Sequence, residues 1–447
     1  MNKAYPKYKP SGVEWLGDVP EHWGVKRLKH IATRITKGTT PSTLGKEFTE
    51  EGILFLKVES ISDKMSILDE MCVHIDSETD QLLSRSRLRE NDVVLSIAGA
   101  IGRTAIIRKE NLPANTNQAL SIISPQKNKT SPKWICYSAN GKYFTTSLSV
   151  DTVKTAQENV SLDTISNSVI LLPPLPEQQA IATFLDRETG RIDGLIAKKL
   201  RLLELLAEQR TALISRAVTK GLDASVKLKP SGVEWLGDVP EHWEALPLKR
   251  IVAIPVTDGP HETPEILDEG IPFVSAEAIR ANKIDFSRKR GFISEAEHRR
   301  FCLKYHPKRD DIYMIKSGAT TGNLAIVETD KEFSIWSPLA VVRVHSKKAD
   351  ARFVLAAMNS KEFQTSVQLF WSFGTQQNIG MNVIENLPIP LPPLTEQQAI
   401  AAFLDRETAK IDTLSAKVTT VIERLKEYRT ALISSAVTGK IDVREAV

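Results

Sequence analysis

The sequence predicts an α+β fold: two globular mixed α/β segments joined by an antiparallel pair of long spacer helices, pseudo-twofold symmetric. Three observations predict it. Blocks of near-identical sequence recur at an almost constant offset, each recurrence ends in a long apolar stripe of helical period, and two unlike segments of matched length lie between them.

The first element, residues 1–23, contains KPSGVEWLGDVPEHW from 9 to 23, which returns unchanged at 229–243 inside the element 224–243. Ser11 and Ser231 set the offset (231 − 11 = 220). LPPLPEQQAIATFLDRETGRIDGLIAKK from Leu172 is matched by LPPLTEQQAIAAFLDRETAKIDTLSAKV from Leu391 (391 − 172 = 219), so the two copies differ in length by one residue. The chain thus divides into a repeated element 1–23, a globular segment 24–171, a helix 172–223, the second repeated element 224–243, a second globular segment 244–390 and a second helix 391–447.

The helical segments carry their apolar residues at alternating spacings of three and four. Leu185, Ile192, Ile196, Leu203, Leu206, Leu213 and Ala217 form the stripe in the first copy, and Leu404, Ile411, Val418, Ile422, Leu425, Leu432 and Ala436 in the second. Such a stripe is the seam of a coiled coil or helical hairpin, each helix being roughly 60 Å long at 1.5 Å per residue. A stripe can also pack only on its own domain. Repetition favours helix on helix, because equivalent surfaces on two copies are self-complementary in an antiparallel pair. Arg210 and Arg429 fall on the two seams, where a long cation must snorkel or meet a carboxylate and can pin register. Thr395 with Gln398 reads as a capping box, Pro176 as a first-turn residue, and Gly221 and Gly439 as helix stops.

The two intervening segments are largely unlike but share faint echoes. GILFLKVESI (52–61) parallels GIPFVSAEAI (270–279), and the strand-like runs around Gly99 and Gly318 correspond, as do TAQEN (155–159) and TQQN (375–378). Short β-branched runs bounded by Gly, Asn or Pro give each an α+β globule. One fold carrying two different surfaces is the reading.

Composition bounds what those surfaces do. At 447 residues, with 41% apolar and 26% charged residues, the chain can build large cores. Its 59 Lys and Arg against 55 Asp and Glu leave +4, so any nucleic-acid contact must come from local placement. Cys72, Cys136 and Cys302 lack CxxC spacing, which argues against a disulfide framework or thiolate zinc site. The polar start and the lack of a long apolar run suggest a cytoplasmic protein that meets no membrane.

Catalytic constellations fail one by one. Around Gly45–Lys46 a phosphate loop would need glycine where Thr40 stands and Ser or Thr where Glu47 stands. There is no GxGxxG after a strand, no (N/D)PP(Y/F) run and no HExxH helix, and the eight histidines read as standing singly. No metal site, no catalytic residue and no cofactor is expected in this chain.

The duplicated PPLPEQQAI and PPLTEQQAI entries, the LISRAV and LISSAV exits and the KPSGVEWLGDVPEHW openings make the whole chain resemble the specificity subunit of type I DNA restriction-modification systems. The resemblance implies a non-catalytic subunit in which 24–171 and 244–390 are target-recognition domains, each reading one half of a split, asymmetric double-stranded DNA target, with the paired helices as a ruler. It implies methyltransferase subunits, two of them, supplying S-adenosylmethionine chemistry, and restriction subunits supplying ATP- and Mg2+-dependent translocation and cleavage. An enzyme with an unseen motif and a pure coiled-coil scaffold are the competing readings, and the scaffold leaves the unlike halves unexplained.

Within the recognition segments, DNA contact is placed on Gly-flanked loops and Gln/Asn-rich turns. In the first half these are Lys37, Gly38, Thr39, Lys57, Arg103, Thr104, Asn117, Thr155, Gln157 and Asn159. In the second they are Thr257, Asp258, Gly259, His261, Ser317, Gly318, Thr320, Thr321, Asn323, Thr375, Gln376, Gln377 and Asn378. Arg suits guanine and Asn or Gln adenine, while Thr, Lys and backbone N–H groups suit phosphates. Each loop competes with a plain hairpin or a helix cap. The basic runs 84–89 and 287–291 either face phosphate or are solvated.

Overall fold

The computed structural model describes residues 3–150, 160–373 and 377–445. The chain forms two compact units, Met1–Leu200 with Thr419–Val447, and Arg201–Val418. Both long helices are continuous, α2 (Leu175–Lys220, 46 residues) and α4 (Leu394–Val437, 44 residues), and each contributes one part to each unit. Among the described residues no helix is long and apolar enough to cross a membrane.

In the first unit a four-stranded antiparallel sheet is built from β1 (Ala32–Lys37), β4 (Val93–Ser96), β5 (Thr104–Ile106) and β7 (Leu120–Pro125), in the order β1-β7-β4-β5. A three-stranded sheet, order β3-β2-β6, joins β2 (Ile53–Leu56), β3 (Val73–Ile75) and β6 (Ala114–Thr116), with β2 and β6 parallel. Helix α1 (Ser77–Leu82) follows β3, capped where Asp76 accepts the Thr79 N–H. The runs are apolar on both faces because both are covered: Val93, Val94 and Leu95 all have 0% exposure.

The second unit repeats this topology. Its four-stranded sheet has the order β8-β14-β11-β12, from β8 (Thr257–Asp258), β11 (Ile312–Ile315), β12 (Leu324–Ile326) and β14 (Leu339–Val342). Its three-stranded sheet, order β10-β9-β13, comprises β9 (Ile271–Val274), β10 (Gly291–Ile293) and β13 (Ser334–Ile335), again with one parallel pair. Helix α3 (Glu295–Cys302), capped by Ser294, stands where α1 stands. The expected α+β globule is present twice.

The structure supplies a reason for the repeated blocks. Trp23 is fully buried and donates from Nε1 to Glu177 Oε1 (3.0 Å), while His22 Nε2 lies 2.7 Å from Oε2 of the same carboxylate. Trp243, His242 and Glu396 repeat the arrangement in the second unit. Gln178 donates to the Pro173 carbonyl and accepts the Ser131 N–H, and Gln397 does the same with Pro392 and Asp350. The EHW and EQQ triplets therefore recur because they lock the start of each long helix onto its own globule with satisfied buried polar groups.

Every predicted stripe residue is buried or half-buried. In the first unit, Leu185 and Ile192 of one helix share a core with Leu432 and Ala436 of the other, and with Trp23, Trp134 and Ile170 of the globule. Both readings of the stripe hold at once. The seam arginines find carboxylates: Arg429 Nε lies 2.9 Å from Asp193 Oδ1, and Arg210 Nε 3.0 Å from Asp412 Oδ1. Within the second unit the helices run antiparallel, since Arg210 meets Asp412 whereas Gly221 lies against Glu396. Gly221 and Gly439 both take the left-handed backbone expected of helix stops, at φ +76° and +69°. One expected cap is corrected. The second helix starts at Leu394, so Thr395 lies inside its first turn rather than at a capping position.

Candidate nucleic-acid interface

The sheet topology gathers the predicted loops. Antiparallel pairing sets Lys37 beside Ser121, and Leu120 beside Ser96. The chain leaving β1, entering β7, leaving β4 and entering β5 therefore emerges at one end of the four-stranded sheet. In the second unit Asp258 pairs with Ala340 and Leu339 with Ile315, so the corresponding loops emerge at the corresponding end.

At the first edge Gly38 packs where no side chain fits: a Cβ there would lie 1.8 Å from the Thr116 carbonyl oxygen. Thr39 donates its N–H to that oxygen at 3.2 Å, and Asn117 donates its own to Leu56, the residue before Lys57. Lys37, Thr39, Lys57 and Asn117 thus form one cluster. Lys37 is exposed, and Lys57 lies 4.9 Å over the Phe48 ring. Arg103, in the β4–β5 turn, is half-buried and braced by Asp63 at 3.1 Å and the Ile61 carbonyl at 3.3 Å. Two of the predicted contact residues are buried. Thr104 has 1% exposure and accepts a hydrogen bond from Asn140, and Gly38 is buried, so its role is to admit close backbone packing.

At the second edge Gly259 repeats the role of Gly38, its Cβ position 2.3 Å from the Ile335 carbonyl oxygen. Asp258, fully buried, replaces exposed Lys37. Its carboxylate is ion-paired with Lys304 and with Lys316 (3.1 Å), and His261 Nε2 lies 3.1 Å from it, while Thr257 is half-buried on the strand before it. Burial works to raise the Asp258 pKa, but the hydrogen bonds from Lys304 and Lys316 outweigh it and hold the group below the ordinary 3.8. Asp258 is therefore a buried carboxylate that orients two lysines. A cleft of about 340 Å³ opens beside it, walled by His261, Arg300 and Lys304.

The turn 317–323 joins this edge. Gly318 donates its N–H to the Gln377 carbonyl (3.0 Å), Thr321 Oγ1 donates to Gly318, and Ser317 bridges Asn378. Thr320, Asn323 and Asn378 are exposed. Ser317, Gly318, Thr321 and Gln377 are half-buried. Thr155, Gln157, Asn159, Thr375 and Gln376 lie outside the described residues.

The sequence reading missed several side chains here. Lys304 and Lys316 lie far from Asp258 in sequence and only the fold unites them. Trp336 occupies the place of Asn117 on the loop after the parallel strand, with the Arg290 guanidinium 4.1 Å over its ring. The run 287–291 thereby reaches this edge, which its density of charge alone did not indicate. Arg87 of the run 84–89 is instead tied to buried Asp80. The histidines do not all stand singly: His298 and His306 converge with Cys302, a convergence for which the i, i+4 spacing of His298 and Cys302 is the visible signal.

Such edges present ammonium, guanidinium, amide and hydroxyl groups on rigid sheet ends, which suits phosphate positioning and groove-edge reading. The family model for the type I restriction modification DNA specificity domain matches residues 20–205 and again 240–424. The type I restriction enzyme MjaVIII specificity subunit of Methanocaldococcus jannaschii is 24% identical over 432 residues, covering 95% of this chain and 94% of the relative. The Escherichia coli EcoBI specificity subunit is 22% identical over 340 residues, 74% of this chain and 70% of its own. Among solved structures, a chain from a study of complex assembly and conformational transition in the type I R-M system superposes with TM-score 0.71 at 16% identity, over 95% of this chain and 99% of that one. The HsdS subunit from Thermoanaerobacter tengcongensis gives 0.53 at 16% identity, over 95% and 98%. With the family domain matched twice across most of its length, this chain belongs to the type I restriction modification DNA specificity domain family.

Proposed function

We propose that the two sheet edges read the two unlike halves of one bipartite, asymmetric double-stranded DNA target, and that the chain directs partner subunits to it without catalysis of its own. The observation that carries this is a single frame with two different faces. Gly38 and Gly259 make the same close approach, yet the residue before each is an exposed lysine in one copy and a buried, lysine-paired aspartate in the other. Two unlike readers on one frame fit an asymmetric site, as a symmetric dimer fits a palindrome. The relatives named as type I specificity subunits support the setting. The partners in this reading are two methyltransferase subunits carrying S-adenosylmethionine and restriction subunits carrying ATP and Mg2+, in the cytoplasm.

The decisive experiment replaces residues 24–171 by the corresponding segment of a relative and maps the modified bases in cells. One half of the recognised sequence should change and the other stay. A change in both halves, or in neither, would overturn the reading. Inserting four residues into each long helix should widen the unread gap by on the order of 6 Å per helix; an unchanged gap would remove the helices as its ruler.

A further inference from the structure

We infer that the second recognition segment holds a structural zinc ion between His298, Cys302, His306 and Glu332. His298 and Cys302 lie on one face of α3, a turn apart, and His306 comes from the chain just beyond it. The donor atoms of these three lie within 4.8 Å of one another. Glu332 closes the group from the connection that leads into β13: its Oε2 lies 2.8 Å from His298 Nε2 and 3.2 Å from His306 Nε2.

The spacing is close to that of a tetrahedral ion and reaches it with small side-chain shifts. With Zn–N and Zn–O near 2.0–2.1 Å and Zn–S near 2.3 Å, the N···S edge of a tetrahedron is about 3.6 Å and the N···O edge about 3.3 Å. Cys302 Sγ lies 3.6 Å from His298 Nε2 and 3.7 Å from its Nδ1, and the His306–Glu332 edge is 3.2 Å; the His298–Glu332 contact of 2.8 Å is a hydrogen bond that opens by about 0.5 Å, with a turn of the Cys302 side chain, when the ion takes the place of its proton. Two imidazoles, a thiolate and a carboxylate are a borderline-soft set suited to zinc rather than magnesium or calcium. Behind them, His298 Nδ1 lies 2.8 Å from Ser334 Oγ, a buried contact of the kind that orients a metal-bound imidazole by its second nitrogen. His298 has a side-chain exposure of 10%, whereas Glu332 and His306 stand at 55% and 49%, leaving an entry path from solvent.

Loading takes Zn2+ from solution and releases the Cys302 thiol proton to solvent. Each imidazole presents a neutral Nε2, and at His298 the ring proton resides on Nδ1 and is donated to Ser334. The ion would staple α3 and the chain after it to the connection before β13. The first recognition segment does not need it: at the matching place Asp80 is held by Arg87 (2.6 Å) and Asn115 (2.9 Å).

The test uses the full chain, stripped by chelator and titrated with Zn2+ and, separately, Co2+. One equivalent of Zn2+ should bind. The cobalt form of the unaltered protein should show intense tetrahedral d–d bands with a thiolate charge-transfer band. Cys302→Ser should abolish that band while far-ultraviolet circular dichroism stays native, and Ser334→Ala should weaken zinc binding by about 10–100-fold. No stoichiometric zinc, a weak octahedral cobalt spectrum in the unaltered chain, or binding that survives the double variant His298→Ala/Cys302→Ser would each overturn the site.

Discussion

The two recognition segments can be compared position by position, because register equates Ser124 with Arg343 and Asp92 with Asp311 on matching strands. Both copies bury an aspartate just before the central strand, at 2% and 0% exposure. In the first, the compensating guanidinium is Arg34 on β1, with Ser124 across from it as a second partner. In the second, the arginine stands directly after β14 as Arg343, and grips Asp311 through both Nε and a terminal nitrogen at 2.6 Å. The buried carboxylate stays and its partner changes strand. The frame thus keeps where charge and backbone must be satisfied, not which residue satisfies them. That freedom leaves the edges able to diverge: the same close approach at Gly38 and Gly259 supports a lysine in one copy and an aspartate cluster in the other.

The largest test of this equivalence removes the carboxylate. Asp311→Ala leaves Arg343 without its bidentate partner and Tyr305 without its carboxylate acceptor, and should destabilise its unit by about 3–5 kcal/mol in chemical denaturation. Arg343→Lys should cost more than Arg34→Lys, because only Arg343 makes the two-pronged contact. Equal losses would show that the fork geometry is not what matters.

The helix-start locks give a second contrast. Glu177 has a side-chain exposure of 6% and Glu396 30%, although both hold a His-Trp pair. Glu177→Ala should therefore cost about 2–3 kcal/mol and Glu396→Ala about 1 kcal/mol, read as separate shifts in thermal unfolding. The reverse order would break the link between burial and worth.

Acid should separate the two edges. Asp258 has its folded pKa held below the unfolded value, so its pairing stabilises fully above the ordinary 3.8 and is lost as pH falls through the lower, folded value. The first copy has Lys37 in that place. Asp258→Asn should flatten the low-pH stability slope of the second unit, measured by denaturant titration between neutral and acid pH, and a Lys37→Gln control should not.

The smallest effect lies on the seam. Arg429–Asp193 is screened, at 18% and 19% exposure, whereas Arg210–Asp412 is open at 32% and 57%. Arg429→Ala should cost on the order of 1 kcal/mol and Arg210→Ala a few tenths. Added salt should shrink the second before the first.

Much of this was legible in the sequence. The repeat announced two copies, the three-four stripe located both long helices, and the seam position of Arg210 and Arg429 narrowed them to snorkelling or meeting a carboxylate, of which the structure shows the second. The loops around Gly38, Gly259 and Gly318 were found because glycine marks close approach and tight turns. The burial of Thr104 was not legible because hairpin composition does not say which strand residue points inward. Lys304, Lys316 and Trp336 were missed because nothing local ties them to Asp258 or to Asn117.

By itself, then, the sequence determined the periodic features: the copy number, the helices, the unlike segments between them, and the family those blocks indicate. Each is encoded in spacing along the chain, and spacing survives without coordinates. Only the tertiary structure decided which polar residues meet. Strand register brought the predicted loops to one sheet end, set two lysines on a buried aspartate, and drew His298, Cys302, His306 and Glu332 together across a gap in sequence from 298 to 332. The physical reason is that side-chain chemistry acts over a few ångströms, and those distances are fixed by pairing between strands far apart in the chain.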